Sequence, residues 1–423
     1  MKETESRLEE LGVKIPEILL PQSGIDLSKW AVIACDQFTQ DRSYWEKLKE
    51  ETQGAPSCLN LILPELYLDD DAPRRIRDIK NSMALYEGGD IFAPRRHCCV
   101  YLERSTPQHP KRRGLMLSID LEQYDWAPAS RFLIRSTEGT VKERLPPRME
   151  IRRGAALELS HVLLLINDEE DRLIPTLGEM ARKHPPLYDT PLMMNSGAVT
   201  GWALDTKEAW AFLADGLAAL ADKSMARYGG AASVESPFLF AVGDGNHSLA
   251  SAKAVWEEYK KDHSGDAGLE SHPARWALVE VENLYDPGIG FEPIHRVVFG
   301  AEPSELLEAL SGLESLTCKP DLQSRVIRFE NHSPVIATAG IEPLLDSFVK
   351  QKNAAIDYIH GEAELLRIVS DPAKRATGLI LPPVEKEGLF KTIAQSGPLP
   401  RKSFSMGSAE EKRFYLECRR LFK

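Results

Sequence analysis

The chain has 423 residues, of which 43% are hydrophobic and 27% are charged, and its formal net charge is −12. This length and balance are typical of a folded protein with more than one hydrophobic core, and they exclude wholesale disorder. The negative charge disfavours binding to DNA, and no uncharged apolar run is long enough to cross a bilayer, so we expect a cytoplasmic protein without a membrane partner.

Hydrophobic periodicity and turn residues predict alternating helices and strands over the first part of the chain. The predicted helices span residues 43–51, 72–86, 141–157, 205–227 and 246–259. The predicted strands span residues 98–103, 114–121, 132–134, 161–166, 237–242 and 276–281. The first two strands flank a polar segment, and we expect them to pair as a hairpin.

The alternation of helices and strands restarts after Gly300. Helices are predicted over residues 304–310, 341–351, 362–369 and 409–422, the last of which closes the chain. Strands are predicted over residues 326–329, 355–359 and 378–381. The sequence therefore predicts a mixed α/β protein with a larger domain over residues 1–300 and a second, smaller α/β domain over residues 301–423.

A glycine-flanked turn follows the predicted strand at 237–242 and opens the next helix. Its residues are Gly243, Asp244, Gly245, Asn246, His247 and Ser248. The start of a helix presents unpaired N–H groups that favour a phosphate or carboxylate ligand, and the histidine and serine can donate to the same anion. Asp244 can bind a metal ion or accept a proton. The alternative interpretation is a plain turn in which Asp244 or Asn246 caps the helix.

A second polar cluster lies between the predicted strand at 132–134 and the helix at 141–157. It contains Arg135, Thr137, Glu138 and Thr140. An arginine, two hydroxyls and a carboxylate at a helix N-terminus can bind an anion and activate a substrate hydroxyl. The alternative interpretation is that the two threonines only cap the helix.

Two weaker candidates lie in the last third of the chain. Lys402 and Ser403 belong to a loop that can clamp a phosphate, although such loops are usually just solvated. His295 and Arg296 follow a proline in a short predicted strand. We expect them to form a hydrogen-bonded core pair rather than a binding site.

The order and spacing of several short motifs resemble a bacterial and archaeal family of unknown function described as SpoOJ/ParB-like. The hallmark of that family is a DGHH-type turn after a strand, which here reads Asp244-Gly245-Asn246-His247. The resemblance also includes residues 135–140, 286–288, 293–296, 357–361 and 400–404. It spans nearly the whole chain.

The turn is similar to the phosphate-binding motif of the ParB/sulfiredoxin superfamily, which contains partition CTPases, sulfiredoxin and free-serine kinases that use ADP or ATP. The resemblance implies a ParB/sulfiredoxin-like core in which Asp244 and His247 belong to the phosphate turn and Glu138 is the acidic partner. Ser248 replaces the usual arginine, so we expect nucleotide binding either to be weaker or to use Lys402, Arg401 or Arg135 instead. The turn contains no cysteine, which disfavours sulfiredoxin chemistry.

The sequence therefore favours a nucleotide-dependent phosphotransferase acting on a small hydroxyl-bearing metabolite, with free serine as one candidate. In this hypothesis Asp244, Glu138 and His247 are catalytic, and Asp244 also binds Mg²⁺. The residues predicted to hold ADP or ATP are Gly243, Gly245, Asn246, Ser248, Arg135, Thr137, Thr140, Lys402 and Ser403. Two alternatives remain open: a non-catalytic, nucleotide-gated ParB-like interaction protein, and a metabolite-binding protein without turnover.

Overall fold

The computed structural model describes residues 2–39, 41–228, 236–311, 317–330, 334–382 and 385–422. The chain forms two compact units. The first contains the residues up to Ile289 and those from Ala409 onwards, and the second contains Gly290–Ser408. This division differs from the predicted one at residue 300 in two respects. The second unit begins one strand earlier, and the last residues of the chain return to the first unit.

Helices occur throughout both units. Those described in the first unit are α1 (Lys2–Glu10), α2 (Leu27–Trp30), α3 (Arg42–Glu51), α4 (Ala72–Gly88), α5 (Leu145–Arg152), α6 (Leu173–Ala181), α7 (Lys207–Tyr228) and α8 (Asn246–Asp262). Those described in the second unit are α9 (Pro303–Leu310), α10 (Pro334–Lys352), α11 (Glu362–Val369) and α12 (Leu389–Ser396). Within the described ranges, no helix has the length and apolar character that a membrane span requires.

Strands form one large sheet, a smaller sheet and several two-stranded ribbons. Those of the first unit before residue 290 are β1 (Val13–Lys14), β2 (Glu17–Ile18), β3 (Val32–Ile33), β4 (Arg96–His97), β5 (Cys99–Ser105), β6 (Arg112–Asp120), β7 (Tyr124–Asp125), β8 (Ile134–Ser136), β9 (Leu157–Leu159), β10 (Val162–Ile166), β11 (Tyr188–Pro191), β12 (Ala198–Leu204), β13 (Phe240–Asp244) and β14 (Trp276–Asn283). Those of the second unit are β15 (Phe291–Phe299), β16 (Cys318–Asp321), β17 (Val326–Phe329), β18 (Ala355–His360), β19 (Ala376–Ile380) and β20 (Phe404–Met406). The chain ends with β21 (Phe414–Tyr415) and β22 (Cys418–Arg420) in the first unit. The predicted mixed α/β fold is confirmed.

The large sheet of the first unit has the strand order β11-β12-β5-β6-β14-β10-β13-β8-β7, and β1 pairs with β6. Its strands β5 and β6 form the predicted antiparallel hairpin. Towards the other edge, β10 is parallel to β14 and antiparallel to β13. Strands β13 and β8 are parallel neighbours, so their carboxyl ends meet at the same edge of the sheet. This alignment positions the candidate site.

The sheet of the second unit has the strand order β16-β17-β19-β15-β18, and β20 also pairs with β15. Neighbouring residues of one strand pack into different apolar clusters. Val298 and Leu379 belong to one cluster, whereas Val297 and Ile380 belong to the other. Because side chains alternate between the faces of a strand, both faces of this sheet are covered.

Two predicted elements near residue 140 differ from the structure. The predicted helix over 141–157 is shorter, because prolines occupy the first turn of α5 and fix its start at Leu145. Gly154, with φ of 63°, follows its end, and Leu157 already belongs to β9. The predicted strand at 132–134 is observed at Ile134–Ser136, where it pairs with β13 and β7. It does not extend the β5–β6 hairpin.

The predicted C-terminal helix over residues 409–422 is wrong. A short 3-10 turn at Ala409–Glu411 leads into β21, which pairs with β3, and β22, which pairs with β9. Strand pairing overrides helix propensity here because most of these residues, including charged ones, are buried and find long-range partners. The sequence around them does not show those partners.

Buried arginines hold this C-terminal segment against the large sheet. The guanidinium of Arg104, on β5, donates hydrogen bonds to the backbone carbonyl oxygens of Glu410, Glu411 and Lys412. Arg413 lies 3.0 Å from Glu280 of β14 and also pairs with Glu417. Because breaking one partner of a buried ion pair costs about 3–5 kcal/mol, these contacts fix the path of the segment.

Glu282 on β14 is fully buried beside this network, and burial raises its pKa to about 8. Repulsion from Glu280 and Asp286 adds to the rise, and Arg112, with Nε 2.8 Å from Glu282 Oε1, opposes it. The folded state therefore binds a proton that the unfolded state releases at a lower pH. Stability associated with this proton is present at acidic pH and is lost as the pH rises through the folded-state pKa.

We predict that Glu282→Gln removes this titration. The wild type should lose stability relative to the variant as the pH rises. The difference between their free energies of unfolding, variant minus wild type, should increase by about 1–4 kcal/mol between about pH 5 and about pH 9. Urea unfolding at both pH values measures the change. Glu208→Gln, at an exposed position on α7, is the matched control and should show no such trend. A difference for Glu282→Gln that stays constant over this range would contradict the prediction.

Candidate functional site

The turn after β13 needs glycine at position 245 for two independent reasons. Gly245 has φ of +80°, in the left-handed region that residues with a side chain rarely adopt. A Cβ atom built there would lie 2.9 Å from Cδ2 of His161 and 3.1 Å from Cα of Val162. The close approach of the turn to β10 and the sharp change of direction into α8 therefore both depend on this glycine.

The seventeen-residue helix α8 begins without a side-chain cap. Gly245 occupies the N-cap position and has no side chain that could accept a hydrogen bond from the first turn. Asp244 Oδ1 instead accepts the N–H of Gly245 at 2.9 Å. The interpretation in which Asp244 or Asn246 simply caps the helix is therefore wrong. The first N–H groups of α8 remain at the positive end of the helix dipole, where an anion is stabilised.

The two polar segments singled out in the sequence lie side by side. In the parallel pairing of β8 and β13, Ser136 lies opposite Val242, so Glu138 and Asp244 each lie two residues beyond that pair. Thr137 Oγ1 donates to the carbonyl oxygen of Val242 at 2.6 Å. Segment 137–140 therefore borders the start of α8. This proximity is required if Glu138 and Asp244 belong to the same site.

His247 links the start of α8 to the same segment. Its Nε2 accepts the backbone N–H of Val141 at 3.2 Å. A ring nitrogen that accepts a hydrogen bond carries no proton, so the imidazole is the neutral tautomer with its proton on Nδ1. Two polar atoms nearby are buried without a hydrogen-bond partner: Asn246 Oδ1 and Thr140 Oγ1. Each of these oxygens can accept a hydrogen bond from a bound ligand or from water.

Lys412 is a site residue that the sequence did not indicate. Its Nζ lies 3.1 Å from Asp244 Oδ2, and its side chain is only 9% exposed. The lysine belongs to the C-terminal segment, which the sequence pattern predicts to be a helix. No local motif marks it, because only the long-range pairing of β21 with β3 brings it here. It supplies a positive charge beside the start of α8.

Arg135 contacts the backbone rather than the turn. Its guanidinium donates to the carbonyl oxygen of Phe132 at 2.8 Å and stacks over the ring of Phe238 at 4.7 Å. Burial lowers the pKa of Arg135 to about 10. These contacts support the strand that precedes the site, and its predicted phosphate contact stays a prediction.

The candidates from the last third of the chain belong to the second unit. Ser403 Oγ donates to the carbonyl oxygen of Pro400 at 2.6 Å, and Lys402 has φ of 59°. Their assignment to nucleotide binding stays a prediction. His295 Nδ1 accepts the N–H of Leu381 at 3.2 Å, and Arg296 Nε donates to Glu342 at 2.8 Å. The interpretation of His295 and Arg296 as hydrogen-bonded core residues is confirmed.

Metal-binding groups are scarce around the turn. Among the described residues there is no group of three or more histidine, cysteine, aspartate or glutamate side chains that could hold a metal ion. The ammonium of Lys412 already lies against the Asp244 oxygen that the predicted Mg²⁺ ion would need. These residues therefore do not fit a metal ion held by the protein alone, and we assign no step to one.

A comparison with protein families identifies the chain. Residues 19–418 match the family described as protein of unknown function (DUF1015). The chain belongs to this family. A comparison with curated proteins finds no match.

Several solved structures resemble the fold distantly. A conserved hypothetical protein from Pyrococcus furiosus has a TM-score of 0.33 and 10% sequence identity, and the match covers 71% of this chain and 90% of that one. A free serine kinase in complex with AMP has a TM-score of 0.36 and 9% identity, with 70% and 88% of the two chains covered. A mutant of such a kinase in complex with ADP has a TM-score of 0.35, 11% identity and the same coverage. Likenesses this low assign no function to the DUF1015 chain.

We predict that Gly245→Ala destabilises the protein more than a positive φ alone explains. The alanine must adopt a left-handed conformation, which costs roughly 1–2 kcal/mol, and its Cβ must also displace His161 or Val162, which adds about 1–3 kcal/mol. The matched control is Gly265→Ala, because Gly265 has φ of +96° but nothing within 4 Å of its added Cβ. Urea unfolding compares the two losses, and equal losses would show that the close approach does not matter.

Proposed function

We propose that this DUF1015 protein is a nucleotide-dependent phosphotransferase that acts on a small hydroxyl-bearing molecule. The observation that carries the proposal is the ammonium of Lys412, held 3.1 Å from Asp244 at the uncapped start of α8. A nearly buried cation, a helix dipole and a row of N–H groups at one place favour a phosphate group. ADP or ATP is the proposed donor.

The phosphate-binding groups follow from this arrangement. The first N–H groups of α8 and the Lys412 ammonium bind the phosphate oxygens, while Asp244 positions the lysine. Lys412 supplies the phosphate-binding cation in place of the family's arginine, which is Ser248 in this chain. Phosphoryl transfer depends mainly on positioning and on neutralising charge, so such a set of donors can support it.

Glu138 is the proposed general base. The substrate oxygen attacks the terminal phosphorus of the nucleotide, the bond from phosphorus to the bridging oxygen breaks, and its electron pair leaves with the shortened nucleotide. The hydroxyl proton passes to the Glu138 carboxylate. Asp244 is less suited to this role than the sequence suggested, because both of its carboxylate oxygens already have partners: Oδ1 accepts the N–H of Gly245, and Oδ2 lies 3.1 Å from Lys412 Nζ. Mg²⁺ can still arrive bound to the nucleotide phosphates.

We predict that ATP or ADP raises the melting temperature of the wild type. A ligand that binds only the folded state stabilises it by about 2.7 kcal/mol at about a hundred times its Kd. Lys412→Met should weaken this stabilisation by roughly tenfold in Kd, since it removes the cation at the start of α8. The control is Lys253→Met, which removes a similarly buried, carboxylate-paired lysine further along α8. A melt unaffected by millimolar nucleotide would contradict the phosphate site.

We predict that Glu138→Gln lowers phosphoryl transfer roughly a hundred- to ten-thousand-fold while nucleotide binding and the melting temperature stay unchanged. The assay is transfer of labelled phosphate from ATP or ADP to a panel of amino acids and small alcohols. Glu143→Gln, an exposed change in the next helical turn, is the control. Asp244→Asn should instead weaken nucleotide binding and cost roughly 1–3 kcal/mol of stability, because it leaves the nearly buried Lys412 without its counter-ion.

The outcomes separate catalysis from binding. Full activity of Glu138→Gln would show that this carboxylate is not the base. Nucleotide binding by the wild type without transfer to any acceptor would instead support a nucleotide-gated binding protein.

A further inference from the structure

A cavity of about 150 Å³ lies in the first unit beside the first turn of α8. Apolar side chains form most of its wall, including those of Leu61, Met83, Ile151, Leu157, Leu249 and Ala252. Ser248, from the first turn of α8, also lines it. A cavity of this volume with apolar walls holds a molecule about the size of benzene. The cavity therefore adjoins the proposed phosphate site and can hold a small apolar molecule.

The arginine and glutamate side chains in the wall are paired with each other. Arg148 pairs with Glu65, and Arg152 pairs with Glu158. A zwitterion such as a free amino acid would bring two charges into a space whose charged groups already have partners. Because burying an unpaired charge is strongly unfavourable, the wall favours a neutral molecule.

One part of the wall is polar and contains the side chains of His161, Tyr415 and Cys35. His161 Nε2 lies 3.4 Å from Asp36 Oδ2, and His161 Nδ1 lies 2.5 Å from Tyr415 Oη. The ring of His161 also lies where a Cβ on Gly245 would touch it, so this part of the wall borders the turn. The phosphotransferase proposal uses none of these polar side chains.

The hydrogen bonds around Tyr415 indicate whether its hydroxyl can act as a donor to a ligand. Burial opposes the charge of His161, but Asp36 raises the pKa of His161 well above its ordinary value, so both ring nitrogens donate. Tyr415 Oη then accepts from His161 Nδ1 and from the N–H of Cys35 at 3.2 Å. Both of its lone pairs are used, and its own O–H is the group that can donate. In the structure this O–H already has the Cys35 thiol as a hydrogen-bond partner, and a thiol is a weaker acceptor than a ligand oxygen.

We propose that this cavity binds a compact, neutral, largely apolar molecule with one hydroxyl group, whose oxygen accepts a hydrogen bond from Tyr415. The inference rests on the proposed function for one point, that this hydroxyl is the group that receives the phosphate. Binding itself needs no nucleotide. The cavity would thereby select a small alcohol over free serine.

Benzyl alcohol, benzene and L-serine are the probes, with binding measured by titration calorimetry and ligand-observed NMR on the full chain without nucleotide. Benzyl alcohol should bind more tightly than benzene, and serine should not displace it. Ala252→Leu places a larger side chain in the wall and should weaken binding of benzyl alcohol at least about tenfold. Ala254→Leu, on the same helix outside the described wall, is the control and should leave binding unchanged.

Tyr415→Phe provides a second variant that leaves the wall intact. It should weaken the binding of benzyl alcohol by about fivefold to tenfold and leave the binding of benzene unchanged, because it removes only the hydroxyl of the tyrosine. Equal effects on both probes, displacement by serine, or no binding of benzyl alcohol would each overturn the proposal. If benzyl alcohol binds as expected but nucleotide does not, the phosphotransferase proposal fails and the cavity proposal stands. If nucleotide binds and benzyl alcohol does not, the reverse holds.

Discussion

The buried ion pairs that hold residues 409–422 are the interaction on which the candidate site depends. Arg413 sits between Glu280 and Glu417, and Arg104 binds three consecutive backbone carbonyl groups of the same segment. These charges gain little net stability over a well-packed apolar core, but they define the position of the segment, because any shift would leave a buried charge without its partner. Lys412 and Tyr415 reach their places as a result.

The proposed phosphate site and the cavity share this dependence. Lys412 meets Asp244 at the start of α8, and Tyr415 meets His161, whose ring lies against the same turn. Gly245 allows the turn to approach that ring closely. A nucleotide at the start of α8 and an alcohol in the cavity would therefore be neighbours, as transfer between them requires.

The parts of the site that are local in sequence were predictable, and the parts that are distant were not. The strand, glycine turn and helix around Asp244 follow from periodicity and glycine placement, and the segment after β8 was recognised by its polar residues. Lys412, Tyr415 and the Asp36–His161 pair were missed. Residues 409–422 have helix-forming composition, and only buried partners more than a hundred residues away make them strands. The strand β15 was predicted only as a short strand around His295 and Arg296. Its full extent, Phe291–Phe299, was missed because Pro293 and these two polar residues interrupt its apolar pattern.

The second unit is an insertion whose two ends meet. The N–H of Gly407 donates to the carbonyl oxygen of Gly290 at 3.0 Å, and Phe291 pairs with Met406 in the adjacent strands. While the insertion is unfolded, it forms a very long loop between Ile289 and Ala409 of the first unit. Closing such a loop carries an entropy penalty that grows with its length. Folding of the insertion joins its own ends and shortens that loop to the width of a hairpin. The order in which the two units fold thus decides how easily the C-terminal strands find their partners.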